Sequence, residues 1–94
     1  MKSINVDYKK HILVCVNERD EGDCCSDVFG KEIHRKIKDF VMKNDLVNEI
    51  WVTRSRCLGF CNKTGATIVI YPDKLWLTEV KEEDLDKIFR LIKE

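Results

Sequence analysis

Ninety-four residues suffice for one domain around one compact core. Apolar residues make up 44% of the chain, too many for a disordered segment, and 17 basic residues balance 17 acidic ones, so no nucleic-acid footprint is present. The opening MKSINVDYKK lacks a signal-peptide apolar run, and no later apolar stretch approaches a membrane span. The expected location is the cytoplasm.

The first nine residues carry the weakest pattern and are expected to be partly disordered. His11–Val16 is a nearly continuous branched apolar run, which predicts a central strand buried on both faces. Phe29, Ile33, Ile37, Phe40 and Val41 recur at helical spacing, which predicts a helix over 28–41 that Ser26 or Asp27 can cap. Asn44-Asp45 ends it, and Glu49–Thr53 reads as a second strand. Ala66–Tyr71 and Leu75–Thr78 read as two further strands joined by a tight turn centred on Pro72-Asp73. A last amphipathic helix follows, with Leu85, Ile88, Phe89 and Ile92 on one face. Its acidic start (Glu82, Glu83, Asp84) and basic end (Arg90, Lys93) suit the helix dipole.

The predicted class is therefore α/β, a single domain over 1–94 in the order β-α-β-β-β-α. A strand, helix and strand in one sheet form a parallel crossover, while the last two strands form a hairpin. The result is a four-stranded mixed sheet with two helices, the minimal thioredoxin-like core.

The chain has five cysteines. In a reducing cytosol disulfides are rare, so these read as metal-binding or redox-active. Cys15 closes the first strand, Cys24 and Cys25 lie in the loop after it, and Cys57 and Cys61 lie in the loop after the second strand. Parallel strands send both loops off the same sheet edge, where ligands collect in open α/β sheets. Two loops with two thiolates each match the count a [2Fe–2S] cluster needs. Tetrahedral zinc also takes four thiolates, but structural zinc sites favour tight C-x2-C knuckles, and this chain has C-x9-C and C-x3-C. A structural zinc-binding domain is the alternative. A thioredoxin-type oxidoreductase needs a C-x-x-C that is absent. A Rieske centre needs two histidines, but His11 lies about 13 Å along its strand from Cys15. His34 is expected at the surface.

HILVCVNERD, a cysteine just ahead of an amphipathic helix, CLGFC, IVIYPDKLW and VKEEDLDKI occur in the order that resembles a thioredoxin-like [2Fe–2S] ferredoxin. The resemblance runs from about His11 to Ile92 and extends to the electron-transfer subunits of bacterial NADH dehydrogenases and hydrogenases. It implies a one-electron carrier rather than an enzyme, with Cys15, Cys25, Cys57 and Cys61 as cluster ligands. Cys25 stands at the family's distance before the helix, five residues ahead of Gly30, which leaves Cys24 as a spare thiol and the alternative ligand. Implied partners are redox proteins: a reductase, a hydrogenase or another flavoprotein. Dedicated service as an electron-transfer subunit of such a complex is an alternative role. A cluster sensor is a third, though no DNA-reading element supports it. The loop after Cys15 is shorter than in typical members. The turn after Cys61, Asn62-Lys63-Thr64-Gly65-Ala66, is one residue longer and lacks proline, and a glycine usual before Trp76 is missing.

Around the cysteines, Leu58 is expected to pack on the sheet edge and Phe60 to offer an apolar contact. Gly59 and Gly65 are expected to let backbone amides approach sulfur. Trp51 and Trp76 read as core or interface aromatics. Arg54, Arg56 and Lys63 flank the second cysteine loop, where they either raise the potential and select an acidic partner face or remain ordinary solvated charges. Two helices covering one sheet face would leave the other to a second copy, so a homodimer is expected.

Overall fold

The computed structural model describes residues 1–16, 30–56, 58–59 and 65–93. In chain order these form β1 (Lys10–Cys15), α1 (Gly30–Lys43), β2 (Ile50–Ser55), β3 (Ala66–Tyr71) and β4 (Leu75–Val80). A short 3-10 turn at Glu82–Asp84 then leads into α2 (Leu85–Lys93). This is the expected order. The sheet runs β2-β1-β3-β4, with β1 parallel to β2 and antiparallel to β3, and with β3 and β4 as the hairpin.

Strand alternation divides the sheet into two unlike faces. Ile12 and Val14 pair across to Ile70 and Ile68, and these four side chains meet Ile33, Ile37 and Val41 of α1 and Leu85, Ile88 and Ile92 of α2. Their burial is the main stabilising term. Phe40 and Phe89 stack at the helix–helix seam with centroids 4.2 Å apart, and the Lys93 ammonium lies over the Phe40 ring.

Both helices pack on that face, so the other is less covered. Leu13 is only half-buried, which corrects the expectation that β1 is enclosed on both sides. Trp51 and Trp76 are 44% and 41% exposed, so neither is a core residue. Trp51 packs instead against Tyr8, with centroids 4.1 Å apart, and against the edge of His11.

Several boundaries move for identifiable reasons. β2 extends to Ser55, because its ladder with β1 continues until Cys15 faces Ser55 and the Val16 N–H donates to the Ser55 carbonyl at 3.0 Å. α1 runs on to Lys43 before Asp45 turns the chain at φ 56°. The hairpin connection takes three residues, Pro72 to Lys74, because Tyr71 still pairs with His11 while Ile70 faces Leu75. β4 reaches Val80 through a register shift between Ala66 and Ile68, with Glu79 at φ 58°. The predicted last helix begins as the 3-10 turn, capped where Asp84 accepts from the Lys81 N–H at 2.9 Å.

Residues 1–7 are exposed, but Tyr8 is held by Trp51 and the Lys9 N–H donates to the Glu49 carbonyl at 2.7 Å. Lys10 is buried, and its ammonium donates to the Leu91 carbonyl at 2.7 Å and sits 3.4 Å from Asp73. The start of β1 thus ties the end of α2 to the hairpin. Among the described residues no helix is long and apolar enough to cross a membrane.

Ile37 is fully buried between helix and sheet. Ile37→Ala should cost about 2–5 kcal/mol in urea unfolding, whereas Lys43→Ala at the exposed helix end should stay within about 0.5 kcal/mol.

Candidate metal centre

The parallel pairing of β1 and β2 sets the geometry of the cysteine edge. Cys15 and Ser55 are register partners at the ends of their strands, so the loops after both begin side by side. Cys15 is a free thiol with no solvent exposure. β3 starts at the same edge, since Ile68 pairs with Val14. Beside this edge lies a shallow cavity of about 350 Å3 lined by Val16, Arg54, Ser55 and Arg56. Both arginines are exposed there.

Cys24, Cys25, Cys57 and Cys61 lie outside the described residues, as do Phe60 and Lys63. Among the described residues no three His, Cys, Asp or Glu side chains come close enough to hold a metal. What is described fits a thiolate-bound metal as far as it extends: a soft sulfur donor, shielded from water, at the strand end that opens the first cysteine loop. Leu58 is half-buried, in keeping with packing at the edge. Gly59 sits at φ 92°, a conformation that favours glycine. Gly65 lies close against β4. A Cβ there would lie 2.4 Å from the Glu79 carbonyl carbon, so its close approach is to the β4 backbone.

Neither histidine sits with Cys15. His11 pairs with Trp51 and Tyr71 toward the start of β1, and its Nε2 lies 2.8 Å from Thr53 Oγ1. His34 is not the surface residue expected: it is only 8% exposed and hydrogen-bonded to the Val52 backbone. Helical periodicity places it next to the core stripe, but only the position of β2 shows that a strand edge covers it. Burial holds its pKa below the usual histidine value, and the nearby Arg54 and Lys38 cations push the same way. The bond to Val52 opposes them.

No protein-family model matches the chain. A 2Fe-2S ferredoxin of Clostridium pasteurianum is 31% identical over 87 residues, which cover 88% of this chain and 83% of that protein. The chain belongs to the [2Fe–2S] ferredoxins. A 2Fe-2S ferredoxin of Aquifex aeolicus is 30% identical over 83 residues, covering 84% of this chain and 74% of its own. The crystal structure of the wild-type thioredoxin-like [2Fe–2S] ferredoxin from Aquifex aeolicus aligns with a TM-score of 0.78 at 29% identity. It covers 88% of this ferredoxin and 84% of that chain. The expected family and thioredoxin-like architecture therefore both hold.

The lowered pKa of His34 links stability to pH. Where the unfolded histidine takes up a proton that native His34 refuses, stability falls as pH drops. Urea midpoints measured between about pH 7.5 and pH 6 should fall more steeply in wild type than in His34→Gln. Equal slopes would contradict this account of the buried imidazole.

Proposed function

We propose that this ferredoxin is a cytoplasmic one-electron carrier whose cluster is held by Cys15, Cys25, Cys57 and Cys61, with Cys24 as a spare thiol. The observation that carries the reading is the Cys15–Ser55 register: it starts the two cysteine loops next to each other at one sheet edge. Bound to four thiolates, a [2Fe–2S] cluster supplies one-electron redox chemistry and no bond-making step.

The chain's own residues supply the setting. Cys15 keeps its sulfur away from water at the end of a central strand. Arg54 and Arg56 place cations beside the same edge and favour added negative charge there. Function then consists of passing electrons to and from a redox protein such as a reductase, a hydrogenase or another flavoprotein.

A second copy of the chain suits the open sheet face. Exposed Trp51, Tyr71 and Trp76 share that face with half-buried Leu13, an apolar aromatic surface of the kind that interfaces use. Analytical ultracentrifugation of Trp51→Glu/Trp76→Glu against wild type tests it: the wild type should sediment as a dimer and the variant as a monomer.

Anaerobically purified protein should contain about two iron and two sulfide per chain and give an EPR signal on reduction. Zinc without sulfide would instead mean the structural zinc alternative. Cys25→Ser should lose or alter the cluster spectrum, while Cys24→Ser should leave it unchanged.

Arg54→Glu/Arg56→Glu should lower the midpoint potential in protein-film voltammetry, because a cation beside the site favours the reduced state. An unchanged potential would mean that both arginines are ordinary solvated charges.

A further inference from the structure

β2 is an outer strand of the sheet, and α1 packs beside it. Ile50, Val52 and Arg54 share the face that α1 covers, since they pair with Lys10, Ile12 and Val14. A groove of about 330 Å3 opens between the strand and the helix. Its charged lining sets four cations, Lys31, Arg35, Lys38 and Arg54, against two carboxylates, Glu32 and Asp39.

Three observations give these cations a use. Among the described residues, Arg35, Lys38 and Arg54 form no ion pair, whereas Lys36 on the same helix is held 3.1 Å from Glu82. Lys38 and Arg54 also lie close enough to His34 to depress its pKa together, so two elements direct positive charge into one place. The chain as a whole carries no net charge, so the excess is local. Glu79 lies within β4, and Glu82, Glu83 and Asp84 form the 3-10 turn after it, where Glu82 holds Lys36 of α1.

We propose that the groove between α1 and β2 docks a redox partner whose own docking face is rich in carboxylates. The proposal rests on the electron-carrier reading above and adds the surface and the charge of the partner. Arg54 makes the location useful, since it lines both this groove and the cavity beside Val16 and Ser55. A partner seated along α1 therefore reaches the edge where both cysteine loops begin. Charges arranged this way steer encounter and fix orientation, and their effect weakens as salt screens them.

The test uses the cluster-loaded protein and two haem proteins of opposite surface charge, acidic cytochrome b5 and basic cytochrome c. Amide NMR titration with cytochrome b5 should move resonances of residues 31–42 and 52–56, with binding that weakens as salt rises. Arg35→Glu/Lys38→Glu should weaken cytochrome b5 binding about tenfold or more at low salt and leave the midpoint potential unchanged. Glu82→Lys/Glu83→Lys should not weaken it, and cytochrome c should not map to the groove. A footprint on the open sheet face, or equal affinity after charge reversal, would overturn the proposal. So would wild-type self-association that the double reversal abolishes, which would assign the groove to a second copy. Iron and sulfide measured on the same samples separate the two levels. Absence of both overturns the carrier reading and this proposal with it, while their presence without a groove footprint overturns this proposal alone.

Discussion

The parallel ladder between β1 and β2 is the constraint on which the rest depends. Strands that run the same way cannot be joined by a tight turn, so the chain must leave the end of β1, cross back through α1 and re-enter at the start of β2. That crossover sets α1 against the sheet. It also brings the ends of the two strands together, Cys15 beside Ser55, so that distant cysteine loops open from one edge. An antiparallel pairing would have sent the loops after these strands to opposite edges. Loops that carry cysteines more than 40 positions apart in the chain thus start from one register, with no local motif gathering them.

The same connectivity explains the unequal faces. α1 and α2 both pack on one side, where the branched side chains of β1 and β3 interdigitate with helical stripes. The far side keeps Trp51, Tyr71 and Trp76 exposed. A sheet with one open aromatic face offers a broad contact surface.

Charge is distributed by the fold in a way its sum conceals. Basic and acidic residues cancel over the chain. The β2 side nevertheless collects Arg54 with the cations of α1, while carboxylates follow β4. In the midst of the basic group, burial and then the neighbouring Arg54 and Lys38 cations disfavour protonation of His34.

Much was legible in the sequence because it is periodic or covalently local. The branched run at His11–Val16, the helical stripes of Ile33 and Ile37 and of Leu85 and Ile88, and the Pro72-Asp73 turn signal set the number, kind and order of the elements. The spaced cysteines pointed to a thiolate centre. Strand ends were less legible, because a strand stops where its partner stops pairing, and Ser55 belongs to β2 only through Cys15 and Val16. Residues with ambiguous environments fared worst. His34 sits at the border of a helical stripe, and nothing in its neighbours along the chain says that the edge of β2 will bury it. Trp51 and Trp76 have core chemistry, yet the one-sided packing of the helices leaves them exposed. The sequence by itself determined the elements and the chemistry they carry, since spacing along the chain encodes both. Only the tertiary structure decided which side of the sheet is covered, what lies against His34 and where the cations of α1 and β2 collect, because those depend on contacts between segments far apart in the chain.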